Sequence, residues 1–80
     1  MNEIENKLKK IISVIFLVNE NKINYESSNE NIKEWDSLKH LSLVLAIEEE
    51  FNIRFTNDET LQLTSFKNIL EILKNNHKIQ

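Results

Sequence analysis

The chain has 80 residues, 40% apolar and 29% charged, with a formal net charge of −3 and no cysteine, glycine or proline. That length supports a single domain, burying roughly 60% or a little more of its unfolded surface around a thin core. Without cysteine there is no disulfide, thiolate zinc site or cysteine nucleophile; without glycine, no phosphate-cradling loop; and scattered lysines under a net negative charge exclude a nucleic-acid partner.

At the N-terminus, Glu3 and Glu5 precede the first lysines, which is not the basic-then-apolar order of a signal peptide. No apolar run approaches the ~20 residues that span a bilayer. A cytoplasmic monomer with no membrane insertion is expected. Ile4, Leu8, Ile11, Ile15 and Val18 recur at helical spacing, with Ile12 and Phe16 widening the stripe, so an amphipathic helix is predicted over 3–18. Residues 19–36 lose the periodicity. A connection this long is uncommon in a compact domain unless it is ordered or functional. Ile23, Tyr25, Ile32 and Trp35 are candidates to pin it as an ordered crossover.

A second helix is predicted over 37–51, with Asp36 as its N-cap and Asn52 at its end. Ile53, Arg54 and Phe55 read as an extended connector. Thr56 or Asn57 opens a short helical turn, with Asp58 and Glu59 favourably placed against its N-terminal dipole. Thr64 or Ser65 caps a last helix through Asn75, with Phe66, Ile69, Leu70 and Leu73 inward and Ile72 flanking them. In the absence of glycine, positive-φ turns are expected at asparagine: Asn19, Asn21, Asn52, Asn57 and the pair Asn75 and Asn76 stand at the predicted breaks. The expected fold is all-α, three main helices and a short one, with a long loop between the first two.

The second helix carries two apolar stripes. At about 100° per residue, Leu43, Val44, Ile47 and Phe51 form a core stripe of normal width. Leu38, Leu41 and Leu45 form a separate stripe beginning beside Ser37, with Glu48 between the two and Glu49 flanking the second. Either a central helix buries both, or the second stripe is an exposed strip for a partner, rimmed by carboxylates. Ser37 is equally two-sided. A serine at a helix start is ordinarily a cap; with Asp36 in that role, its hydroxyl is free. An ester of phosphate there would face unpaired backbone N–H groups and the positive end of the dipole.

Asp36-Ser37-Leu38 followed by LSLVLAIEEEF (41–51) resembles the second helix of acyl carrier proteins, whose signature is Asp-Ser-Leu leading a helix that ends in acidic residues and phenylalanine. The resemblance extends over nearly the whole chain: the preceding helix, the long loop, the Ile53-Arg54-Phe55 connector, the short third helix and the final helix from Phe66. It implies an acyl-carrier-like four-helix bundle, 1–80 being one carrier domain. It implies that Ser37 bears 4′-phosphopantetheine, donated by coenzyme A through a magnesium-dependent phosphopantetheinyl transferase. The terminal thiol would carry an acyl or aminoacyl group as a thioester, with no catalysis by the chain itself. Asp36 would orient the serine and offer charge to the transferase's metal. Leu38, Leu41, Leu45, Glu48 and Glu49 would form the face read by the transferase, the loading enzyme and the downstream acyltransferase or synthase.

The chain departs from the family pattern beside the serine. Trp35 replaces a frequent glycine, Lys39 and His40 stand where housekeeping fatty-acid carriers usually have an acidic and a small polar residue, and Ser42 replaces a frequent glutamate. With the mild net charge, these changes point to a specialised biosynthetic pathway, polyketide-like, aminoacyl-transferring or glycan-modifying. A housekeeping fatty-acid carrier and an unloaded helical interaction module are the alternatives.

Other constellations carry less. Glu48, Glu49 and Glu50 are adjacent on a helix and point in different directions, as a solvated face does. Asp36 and His40, at i and i+4, could pair, but two residues make no zinc site. His40 lies one turn from Ser37 with no oxyanion hole in view. No catalytic or metal site is expected, and no role is expected of His77.

Overall fold

Ile4, Leu8, Ile12 and Phe16 recur every four residues, and all four are buried on the inner side of a first helix, α1 (Glu3–Phe16). The computed structural model describes residues 3–78. A single 3-10 turn (Glu20–Lys22) follows, then α2 (Ser37–Phe51), the short α3 (Asn57–Gln62) and α4 (Phe66–Asn75). Among the described residues there is no strand, only an isolated antiparallel bridge between Ser28 and Ser65. No helix among them is long and apolar enough to cross a membrane. The all-α, four-helix expectation is met.

The core is one cluster to which α1, α2 and α4 each give one face. Leu43, Val44 and Ile47 enter from α2; Phe66, Ile69, Leu70, Ile72 and Leu73 enter from α4. Ile72, expected to flank this cluster, is itself buried. Phe51 is half-buried against it.

The helix ends follow the cap chemistry. Asp36 caps α2. At its far end Asn52 takes the left-handed conformation (φ 56°), and the N–H groups of Asn52 and Ile53 both reach the Glu48 carbonyl. Thr56 and Glu59 form a reciprocal capping box on α3, and the Ser65 hydroxyl caps α4 at Asn68 N–H (3.1 Å).

α1 stops two residues short of the predicted Val18, because Leu17 adopts φ 58°. The left-handed turn therefore falls on a leucine as well as on Asn52, and Lys78 adopts it too (φ 57°). Such a conformation costs a non-glycine residue about 1–3 kcal/mol. Here it is held from both sides. The Ser13 hydroxyl donates to the Val18 carbonyl at 2.6 Å, and the Lys39 ammonium donates to the Ile15 carbonyl at 3.1 Å. Of the asparagines expected at positive φ only Asn52 adopts it; Asn19, Asn21, Asn57, Asn75 and Asn76 do not, and the Asn19 side chain instead accepts the Asn21 N–H to open the 3-10 turn.

Residues 19–36 are ordered by three devices. Ile23 and Trp35 are buried and Ile32 is partly so. The Ser27 and Thr64 carbonyls accept the Phe66 and Asn29 N–H groups at 2.9 and 3.0 Å, which fastens mid-loop to the start of α4. Tyr25 is a surface clasp rather than a buried pin: half its area is exposed, its ring tilts over Phe66, and its hydroxyl donates to the Glu5 carboxylate.

His77 does have a role, contrary to expectation. Its Nε2 lies 3.1 Å from the Glu59 carboxylate, its ring stands edge-on to Phe55 (5.3 Å), and the Asn76 amide donates to the same carboxylate at 2.9 Å. These contacts tie the end of the chain to α3.

Two outcomes follow from this architecture. The Ile23 and Ile32 amides, bonded to the Glu20 and Ser28 carbonyls, are expected to exchange hydrogen at least about tenfold more slowly than free peptide; free-peptide rates would remove the case for an ordered loop. The second concerns acid. The Thr56 N–H bond first, then the Asn76 and His77 contacts, hold the Glu59 carboxyl below its ordinary value against partial burial, which pushes it up. A carboxyl depressed in the folded state stabilises the fold above its unfolded pKa, and that stability is lost as pH falls through the folded value. Urea midpoints measured from pH 6 down to pH 3 should therefore fall more steeply for the native chain than for Glu59→Gln.

Candidate functional site

The site is set by how the loop enters α2. Trp35 N–H donates to the Ile32 carbonyl, closing a turn, and the indole lies on Phe16 with ring centroids 4.9 Å apart. Such a stack contributes about 0.5–1.5 kcal/mol beyond the area it buries. Asp36 is then extended (φ −100°, ψ −178°), and its Oδ1 accepts the Lys39 N–H at 2.8 Å while its carbonyl accepts that of His40. A cap of this kind is worth about 1 kcal/mol.

Ser37 is therefore the first helical residue, exposed, with no hydrogen bond to its hydroxyl among the described residues. Of the four N–H groups that open a helix, that of Asp36 donates to the Glu34 carbonyl and that of Lys39 to the Asp36 carboxylate. The Ser37 and Leu38 amides are left beside the free hydroxyl. An anion esterified there would meet two donors and the positive end of a four-turn helix. Ser37 stands at the rim of an open cleft lined by Asn29, Trp35, Asp36, His40, Leu61 and Thr64.

Lys39 and His40 turn inward rather than toward solvent. The Lys39 ammonium is the donor to Ile15 already described. His40 does not pair with Asp36; its Nδ1 accepts the Trp35 indole N–H at 3.0 Å, and its Nε2 donates to the Thr60 carbonyl at 2.9 Å. With both ring nitrogens engaged, this imidazole has no lone pair to offer the Ser37 hydroxyl.

The two stripes of α2 separate cleanly. Leu43 and Ile47 are fully buried, whereas Leu38, Leu41 and Leu45 are 76%, 56% and 59% exposed. Of the flanking acids, Glu49 is exposed. Glu48 is half-buried, and its carboxylate accepts the Phe55 N–H at 2.8 Å, so it also fixes the connector to α3. Sequence reasoning missed Leu61, a 77% exposed leucine on the Ser37 cleft. Its only signal was an apolar residue near the end of the six-residue polar helix NDETLQ, too short for a period to show.

This exposure has a measurable consequence. Leu38→Ser and Leu45→Ser should leave unfolding free energy within about 0.5 kcal/mol of the native chain. Leu43→Ala, two residues from Leu45, should lose about 2–5 kcal/mol in the same urea titrations.

Two curated proteins are similar to the chain over nearly its whole length. One, an acyl carrier protein of Buchnera aphidicola subsp. Baizongia pistaciae, is 43% identical over 74 residues, covering 92% of this chain and 95% of the relative. The other, an acyl carrier protein of Buchnera aphidicola subsp. Schizaphis graminum, is 35% identical over 78 residues, covering 98% and 99%. No protein-family profile matches the chain.

Proposed function

The chain belongs to the acyl carrier protein family, and from that premise we propose that Ser37 bears 4′-phosphopantetheine, on which the protein carries an acyl or aminoacyl group as a thioester. The observation that carries this reading is the exposed, unbonded Ser37 hydroxyl at the first position of α2, beside two open backbone amides. When attached, the group supplies the thiol that the cysteine-free chain lacks.

The chain's own residues bind and present. The Ser37 and Leu38 amides would hold the ester phosphate. Asp36, with one oxygen held by Lys39 N–H, sets the turn that exposes the serine and offers its charge to the transferase's metal. Leu38, Leu41 and Leu45, with Glu49 and the half-buried Glu48 at their edge, form the face that the transferase, the loading enzyme and the acceptor read in turn. Such a strip suits an apolar groove with a basic rim. His40, engaged on both nitrogens, is not available to activate Ser37, and the chain is read as a carrier without catalysis of its own, working in the cytoplasm.

A specialised pathway is supported by the mild charge of −3 and by Ser42 on the exposed face of α2. The housekeeping reading gains from one observation. Because Lys39 and His40 are spent on interior contacts, they alter the acidic surface less than their positions suggest.

Incubation with coenzyme A, magnesium and a broad-specificity phosphopantetheinyl transferase should add one phosphopantetheine to the intact mass, and Ser37→Ala should add none. An unchanged mass for the native chain, or a gain that survives Ser37→Ala, would sink the carrier reading and leave the unloaded interaction module. Replacement of a host's fatty-acid carrier in a conditional strain would separate the pathways: growth favours the housekeeping role, no growth by a loaded protein the specialised one.

A further inference from the structure

Trp35 and His40 stand between the Ser37 cleft and the interior. The indole is 6% exposed; one side lies on the fully buried Phe16 and its N–H is held by His40. The two rings are nearly parallel, at 25°. His40 carries the link on to the Thr60 carbonyl in α3. Because Nδ1 accepts, the ring proton sits on Nε2, so the two bonds select a single tautomer. Three segments meet in this chain of contacts: the end of the loop, the first turn of α2, and α3. Among the described residues it is the hydrogen-bonded connection between α2 and α3, since α3 packs chiefly on α4.

An alkyl group tethered near Ser37 is apolar material beside an apolar core, and every methylene it buries favours entry. Entry from the Ser37 cleft must part α2 from α3 or displace the indole from Phe16. Displacing the indole leaves its N–H without a partner, and parting α2 from α3 leaves the His40 Nε2–H without one, while the Thr60 carbonyl keeps only the longer Leu63 N–H bond at 3.4 Å; in a part-buried setting either loss opposes opening. We propose that the Trp35–His40–Thr60 chain is a clasp that keeps the cargo of Ser37 outside the bundle. Lying in the open cleft beside Leu61, that cargo is a short or polar acyl group, for which exposure costs little, and a long alkyl chain is disfavoured. The inference rests on the carrier reading above.

The test loads the native chain, His40→Ala, Trp35→Phe and His40→Gln with acetyl- or octanoyl-phosphopantetheine from the corresponding coenzyme A thioesters. Intact mass establishes loading, hydroxylamine cleavage reports thioester access, and methyl spectra of Ile47, Leu63 and Ile69 report entry into the core. In the native chain both thioesters should be cleaved at rates within about twofold, with identical core methyl spectra. In His40→Ala the octanoyl form should slow about fivefold or more relative to acetyl, as local opening admits the chain, with shifted core methyls. Trp35→Phe keeps an aromatic ring on Phe16 but loses the N–H and part of the buried ring, so it should move the same way if His40→Ala fails to fold. His40→Gln, which restores a donor and an acceptor, should return toward native behaviour. Protection of the octanoyl form already in the native chain, or no protection in any folded variant, would overturn the clasp alone. No mass gain on the native chain would overturn the carrier reading and the clasp with it.

Discussion

An indole brings about 150–250 Å² of surface and one N–H donor, and a bundle of this size offers few places that accommodate both. Trp35 finds one at the last turn of α1, lying on Phe16 with its N–H directed at His40. The positions of its neighbours follow. Asp36 is the next residue; it is extended, as N-cap residues are, and turns its carboxylate onto the N–H three residues on. Ser37 is then the first helical residue and has nowhere to point except into water. The exposed hydroxyl thus follows from the Asp36 cap, which Trp35 anchors to the core from the preceding position.

The same turn uses residues whose charge suggests a surface role. Lys39 would read as a cation among acidic neighbours, yet its ammonium closes the end of α1, which has no basic residue in its last turn. A cation at that end meets the negative pole of the dipole and an orphan carbonyl together. It also steadies the left-handed Leu17, where the helix breaks without a glycine. His40 likewise serves the interior. Composition alone could not separate these uses, because a charge counts the same toward the net value whether it faces water or a backbone carbonyl.

What was legible in the sequence is what depends on local pattern. Cap residues announced α2, α3 and α4, and the two stripes of α2 came from the period alone. Asn52 as the C-cap followed from its tolerance of positive φ. What was not legible depends on partners distant in the chain. Leu17 has no helix-stopping character of its own; Ser13 and Lys39 make the stop. His77, in a polar tail, takes its role from Glu59, 18 residues earlier and on another element. His40 has Asp36 at helical spacing in the sequence, but its partners are Trp35 across the cap and Thr60 on α3. Leu61 is exposed in a helix too short for exposure to be read.

The leucine strip of α2 stays uncovered for a reason that lies elsewhere in the chain. The long loop is the one segment with enough length to cross it, and its apolar residues are already committed. Ile23 and Trp35 enter the core, Ile32 packs against it, and Tyr25 lies over Phe66. Its backbone is committed too, with the Ser27 to Asn29 stretch paired to Thr64 through Phe66 at the start of α4. Ordering the loop by these contacts costs conformational entropy that only burial and hydrogen bonding offset, so the loop goes where both are available. Leu38, Leu41 and Leu45 offer burial with no backbone partners, and they are left uncovered among the described residues. The loop's own sequence therefore leaves the leucine strip exposed.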